Sequence, residues 1–356
     1  MILVPFDKTY ALIQRFFESY GFSATDSTAI TTALLAADLA GIESHGIQRM
    51  IRYHKAIQDG MVDPKAIPET VWETPISAVI DAKKAMGQIV SMQAMQLAIE
   101  KAKLHGIGMV TVRNSNHFGI AGYYARMAAA EGCIGAAMTN SEAIMVPTNS
   151  RKAMLGTNPI AVAFPADPTP FCFDAATTVV PLGKLEVYRK AKKVLPGQWA
   201  VDEEGQPCYD PDQMIHNISG RVGGGILPLG GNSELTGGHK GYGYGMLCEL
   251  FTAILSGGAT SYQSYTQPAL ADTAHAFWAI DYRLFGDPEQ IRASCSAFLE
   301  DIRHAPPVRE GQRVYIHGEK ELESADKIYR NGIPANEKTV TELQQIAREQ
   351  NVPFAL

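Results

Sequence analysis

Apolar positions recur at helical spacing through the first sixty residues. Tyr10, Ile13, Phe16 or Phe17 and Tyr20 share one face, and Gly21 ends the run. A second helix is predicted from a cap at Thr25 or Asp26 through Ala36 and Ala40, closing at Gly41. Ser44 reads as the N-cap of a third helix, running from about Gly46 to Ile57, before a loop at Asp59-Gly60 and residues 64–68. Helix returns over residues 87–105, with Val90, Met95, Leu97 and Ala98 facing inward.

Beyond His105-Gly106 the period changes. Short apolar runs at 109–112, 134–138, 160–164 and 171–173 are bounded by Gly, Pro and Asn, which predicts buried strands separated by helices such as 121–130. A segment holding 11 of the 32 glycines follows, from Gly220 to Gly245. Helix 244–256, strand 275–281 and helix 288–303 then resume the alternation, and a polar amphipathic helix over 338–350 is expected to pack back on the helical N-terminus. The fold class is α/β, or α+β mixed.

Composition narrows the function classes. Hydrophobic residues make up 46%, charged residues 19%, and the net charge is −6, which excludes a disordered chain. The longest basic cluster is Arg189-Lys190-Ala191-Lys192-Lys193, too little for an electrostatic nucleic-acid partner. Five scattered cysteines without a CxxC pair read as reduced thiols of a cytosolic protein, and no metal site is expected. No signal peptide stands out, and the apolar stretch 246–255 carries Glu249 and is too short to span a bilayer. The expectation is a soluble, cytoplasmic protein with no membrane partner.

One absence is informative. A dehydrogenase of this length usually shows a strand, then GxGxxG, then a helix, whereas Gly106-Ile107-Gly108 lacks the third glycine. A nicotinamide, if bound, is bound by another architecture.

Four segments carry candidate chemistry. In the run from Glu43 to Tyr53, a helix starting at Ser44 would align His45, Arg49 and Tyr53 at i, i+4 and i+8. An imidazole, a guanidinium and a phenol on one face suit a carboxylate beside a carbonyl, although a Ser cap with a solvated face has the same pattern. Asn114-Ser115-Asn116-His117-Phe118-Gly119 lies at a strand-to-helix turn, where a histidine is an acid/base candidate or a structural group bonded to a turn carbonyl. Gly156-Thr157-Asn158-Pro159 and Phe173-Asp174-Ala175-Ala176-Thr177-Thr178 flank apolar strands, and Asp174 suits orienting an imidazole, bonding a ribose or capping a helix. The stretch from Gly237 to Gly245 embeds Lys240 among glycines at a helix start, which suits a phosphate or a flexible connector.

Together these segments resemble the type-2 malate/L-lactate dehydrogenase family, which includes sulfolactate, ureidoglycolate and diketogulonate oxidoreductases and a piperideine-carboxylate reductase. The matching residues are 38–46, 114–124, 155–159, 173–178 and 238–243, spread in order over most of the chain. The resemblance implies a non-Rossmann mixed-sheet domain that binds the nicotinamide cofactor, here residues 76–324. It also implies a helical domain formed by both chain ends, residues 1–75 and 325–356, and a homodimer.

Carried over by residue, the resemblance implies catalytic roles for Ser44, His45, His117 and Asp174. His45 stands slightly ahead of His117 as acid/base, because Asp174 matches an Asp that orients it in some members. Arg49 would grip the substrate carboxylate, with Tyr53 assisting. Ser141, Asp174, Ala175, Ala176, Lys240, His317, Gly318 and Glu319 match cofactor contacts, the last three departing from the commoner Pro-Gly-Glu. The implied activity is hydride exchange between a 2-hydroxy acid and NAD, with malate first among substrates. NADP is the alternative cofactor, for which Lys184, Arg189 and the 190–193 cluster are candidates. Lactate, sulfolactate, ureidoglycolate, diketogulonate, a cyclic imine carboxylate, or carboxylate binding without catalysis are the other readings.

Overall fold

The structure, a computed structural model, describes residues 2–266, 270 and 272–356, apart from the side chain of Lys190. A short strand β1 (Ile2–Val4) leads into α1 (Phe6–Ser19) and α2 (Ala24–Leu39). Ser23 rather than Thr25 or Asp26 caps α2, its hydroxyl accepting the Asp26 N–H at 3.0 Å. The expected third helix is broken. Glu43–His45 and Ile47–Arg49 are separate 3-10 turns around an extended Gly46, and α3 (Met50–Gln58) begins only afterwards. The break is held from α2: the buried Asp38 carboxyl accepts the Ile47 N–H at 2.8 Å.

The hairpin β2 (Glu69–Glu73) and β3 (Ser77–Asp81) precedes α4 (Gly87–His105). All five residues of β2 are exposed, so no alternation marks it in the sequence. Next come β4 (Ile107–Ser115), α5 (Ala121–Ala130), β5 (Ile134–Thr139), β6 (Ile160–Phe164) and β7 (Phe171–Ala175), each containing its predicted run. A small lobe follows, made of α6 (Leu182–Lys190), β8 (Ala200–Val201), α7 (Pro211–Gly220) and β9 (Gly225–Ile226). The chain continues as α8 (Gly238–Glu249), extended by a π-helical turn Leu250–Ile254, then β10 (Thr273–Ile280) and α9 (Pro288–Arg303). It ends with α10 (Glu319–Asn331), β11 (Ile333–Ala335) and α11 (Glu337–Glu349).

Seven strands form one mixed sheet in the order β2-β3-β4-β10-β5-β6-β7, parallel only between β3 and β4. The late strand β10 sits at the centre, its Ala276, Phe277 and Ala279 fully buried. Helices α4 and α5 cover one face through small residues such as Ala94, Ala98, Ala125 and Ala128. Their backbones come close enough that a Cβ on Gly108 would lie 2.1 Å from the Ala98 carbonyl oxygen, which accounts for glycine at that position. A second core joins the chain ends: Leu12, Phe16, Leu34, Met50 and Tyr53 pack with Ile328, Leu343 and Ile346, and β1 pairs with β11. Among the described residues, no helix is long and apolar enough to cross a membrane.

This arrangement sets the broken 43–49 segment, anchored in the terminal core, against the ends of β4, β5 and β7.

Candidate active site

Two linked cavities, of about 300 Å³ and about 500 Å³, open along that seam. Both are lined by Arg49, Arg52, His117, Glu142 and Tyr265. His117 stands there because the turn after β4 is clamped. Asn116 Nδ2 donates to the Met61 carbonyl at 3.1 Å, and the Phe118 ring stacks on buried His275 at 4.7 Å. His275 is itself held between Thr139 Oγ1 at 2.8 Å and Ser115 Oγ at 2.9 Å.

The two candidate imidazoles meet. Their ring centroids lie 5.5 Å apart in a stacked arrangement. Ser44 Oγ is 2.9 Å from His45 Nδ1, and Tyr53 Oη is 2.7 Å from His117 Nδ1. Gln88 Nε2 donates to that same Tyr53 oxygen at 2.9 Å. A phenol has one proton; with Gln88 donating to the oxygen, that proton goes to His117 Nδ1. Neutral His117 therefore carries its own proton on Nε2, an assignment from the hydrogen-bond network.

Burial, reinforced by the Arg52, His45 and Arg49 charges, holds His117 well below the ordinary imidazole value. Burial and the charges of Arg49 and Arg52 bring His45 down to about 4. Both rings are neutral at pH 7 in the free site. Burial also lifts Tyr53 to about 12, so its hydroxyl stays protonated.

Arg49 Nε donates to the Ser44 carbonyl, and among the described residues its terminal nitrogens make no hydrogen bond. They remain available to fork a carboxylate. His45, Arg49 and Tyr53 converge through two tight turns rather than along the one helical face that their spacing predicts.

The remaining candidates divide. Ser141, Asp174, Ala175 and Ala176 line the smaller cavity with Ser44 and His45. Ser141 Oγ accepts the Thr157 N–H at 3.1 Å. Asp174 accepts the Gly122 N–H at 2.7 Å, and burial lifts its carboxyl to about 6. Its bond is thus to α5, while the group paired with His45 Nδ1 is Ser44; the expected Asp174–His45 contact is not made.

Lys240 is exposed in the first turn of α8 and lines neither cavity. His317 and Gly318 pack beside β7, where the Cys172 N–H donates to the His317 carbonyl at 3.1 Å. Glu319 is ion-paired with Arg303 at 2.7 Å and Arg313 at 3.1 Å. Arg189 lines the larger cavity, Lys184 is exposed, and the Lys190 side chain lies outside the described residues. Among the described residues, no group of three potential ligands for a metal assembles.

Gln88, Arg52, Glu142 and Tyr265 were not singled out from the sequence. Gln88 is one polar residue in an apolar helical pattern. Arg52 lies within the run from Glu43 to Tyr53, but i, i+4 spacing passes over it although i+3 neighbours also share a face.

The smaller cavity fits a nicotinamide ring. Ile120, Ala121, Pro159, Ala175 and Pro181 give it apolar walls beside the two neutral imidazoles. Gly183 of α6 faces the same cavity beside Ser44 and Arg49.

Comparison with known proteins agrees with this geometry. A family profile described as malate/L-lactate dehydrogenase matches residues 4–344. A malate dehydrogenase of Pyrococcus horikoshii is 42% identical over 352 residues, covering 99% of this chain and 96% of the relative. An L-sulfolactate dehydrogenase of Methanocaldococcus jannaschii is 36% identical, covering 98% of this chain and 97% of its own. The crystal structure of malate dehydrogenase from Entamoeba histolytica superposes with a TM-score of 0.95 at 33% identity, covering 100% of this chain and 99% of that one.

Proposed function

The chain belongs to the malate/L-lactate dehydrogenase family and is a 2-hydroxyacid dehydrogenase, and we propose that it interconverts malate and oxaloacetate with NAD, using His117 as acid/base. The observation that carries this reading is one cavity faced by an imidazole of set tautomer and by a guanidinium whose terminal nitrogens are free. The nicotinamide, when bound, supplies or takes up the hydride.

The chain's own residues do the rest. Arg49 forks the carboxylate next to C2 and so aims the carbonyl. The negative charge of the substrate offsets the Arg49 and Arg52 charges that depress His117, so the imidazole gains a proton on binding. In that state Nδ1–H donates to Tyr53, whose hydroxyl turns to Gln88. Gln88 Oε1 is buried without a partner in the resting network, and an amide flip presents it to Tyr53. As carbonyl becomes hydroxyl, the Nε2 proton passes to the C2 oxygen and leaves the ring neutral, its remaining proton on Nδ1 still donated to Tyr53. His45, stacked on His117 and held by Ser44, keeps a second neutral donor beside the substrate.

Ser141 and residues 174–176 hold the cofactor along the cavity wall, and residues 317–319 extend that path along the outer side of β7. Lys240, at the start of α8, serves the cofactor's phosphates from outside the cavity. Assembly as a homodimer is supported by an exposed apolar stripe, Leu247, Leu250 and Ile254, along α8 and its π-turn. The scattered free cysteines support a cytoplasmic location.

NADH and NADPH absorbance followed against oxaloacetate, pyruvate, sulfopyruvate and a cyclic imine carboxylate tests the assignment. Oxaloacetate with NADH is expected to turn over fastest. Oxidation confined to the imine moves the reaction to a C=N bond, and no oxidation with any substrate contradicts the proposal.

A further inference from the structure

Arg52 is a further cation in the site, and among the described residues no carboxylate lies within salt-bridge distance of it. It lies one helical turn beyond Arg49 and lines both parts of the site. Its side chain is solvent-accessible and lines both cavities. Two other part-buried arginines are neutralised, Arg113 by Asp81 at 3.2 Å and Arg303 by Glu319 at 2.7 Å. Among the described residues, neither Arg49 nor Arg52 has a carboxylate within salt-bridge distance. The closest groups facing Arg52 are the Tyr265 ring, with its centroid 5.9 Å from the guanidinium carbon, then Tyr53 and Glu142. Tyr265 is fixed in turn by its hydroxyl, 3.1 Å from Thr273 Oγ1.

Two unpaired guanidiniums one turn apart repel each other, a cost that one anionic group offsets only in part. Side chains at i and i+3 stand about 5–6 Å apart at their Cβ atoms, a spacing that two carboxylates joined by a two-carbon link can match. Building on the hydride-transfer reading above, we propose that Arg52 binds the second anionic group of the substrate and so sets a preference for dianionic over monoanionic 2-oxo and 2-hydroxy acids. Arg49 takes the carboxylate beside C2, and Arg52 the distal carboxylate or sulfonate. The flat fork of Arg52, lying over Tyr265, leaves its terminal nitrogens for that group.

Two measurements on the full-length protein test this. With NADH, the ratio of kcat/KM for oxaloacetate to that for pyruvate is expected to fall about ten- to hundredfold in Arg52→Gln, the loss of a charged hydrogen-bonded pair. Arg52→Lys should retain part of the ratio. Arg52→Gln should also raise the apparent pKa of the alkaline limb in pyruvate reduction, where the protonated imidazole is lost, because one cation beside His117 and His45 is gone; a purely structural role moves neither readout. Equal loss on both substrates, or an unchanged ratio, overturns the proposal.

Titration calorimetry with malate and with lactate reads the same discrimination without turnover. A malate preference that disappears in Arg52→Gln upholds Arg52 even if neither oxo acid is reduced, an outcome that sinks only the hydride-transfer reading. Equal binding of malate and lactate by the unaltered protein, or no malate binding, overturns the role of Arg52.

Discussion

Tyr53 Oη stands 2.7 Å from His117 Nδ1 and accepts a hydrogen bond from Gln88 Nε2 at 2.9 Å, and this chain selects the tautomer that His117 shows to the cavity. Tyr53→Phe removes the phenol while keeping the ring. Turnover is expected to fall about ten- to hundredfold, the loss of one buried hydrogen bond to a group that becomes charged, with NADH affinity little changed. Gln88→Leu should give a smaller loss and a shifted pH profile for oxaloacetate reduction. Unaltered steady-state rates in both variants would remove the relay from the mechanism.

Arg49 is pinned through Nε to the Ser44 carbonyl and offers its remaining nitrogens to the substrate. Arg49→Ala is expected to raise KM for oxaloacetate roughly a hundredfold, in keeping with a lost bidentate charge pair. NADH binding, read by fluorescence titration, should change far less. An unchanged KM would exclude Arg49 as the carboxylate anchor.

The broken segment that carries His45 and Arg49 depends on close contact with α2. A Cβ on Gly46 would lie 2.0 Å from Asp38 Oδ1, and that carboxyl is buried. Gly46→Ala should destabilise the fold by about 1–3 kcal/mol through overpacking and displace both site residues. Thermal melts and activity check the two effects separately; a fully active, fully stable variant would refute the contact.

The same carboxyl makes stability depend on pH. Burial, opposed in part by the Ile47 N–H, raises Asp38 to about 8. A folded-state value above the unfolded one means the contribution is complete below the unfolded value and is lost as pH rises through about 8. Tm measured from mildly acidic to mildly alkaline pH is therefore expected to decline more steeply in the native protein than in Asp38→Asn. Parallel profiles would show that Asp38 ionises without cost.

Much of this was legible beforehand, for physical reasons that differ by segment. The strands β4, β5 and β6 and the helices α4 and α5 are largely buried, so their apolar runs mark them in the sequence. The hairpin strand β2 is exposed throughout and leaves no such trace. His45, Arg49, Tyr53 and His117 were found because imidazole and guanidinium are rare beside small residues at element ends. The i, i+4 spacing implies a continuous helix where Asp38 and Gly46 impose two turns. The partner of Asp174 was misjudged because Gly122, a backbone donor brought in by α5, carries no side-chain signal. Arg52 and Gln88 owe their significance to missing partners, a property of three-dimensional packing alone.

Whether His117 moves the proton at C2 is decided by single-turnover oxidation of bound NADH by oxaloacetate in His117→Ala. The rate is expected to fall by about a hundredfold or more, the usual share of a general acid, while NADH binding is retained. A rate within about twofold of the unaltered protein would be far smaller than any such share and would contradict it.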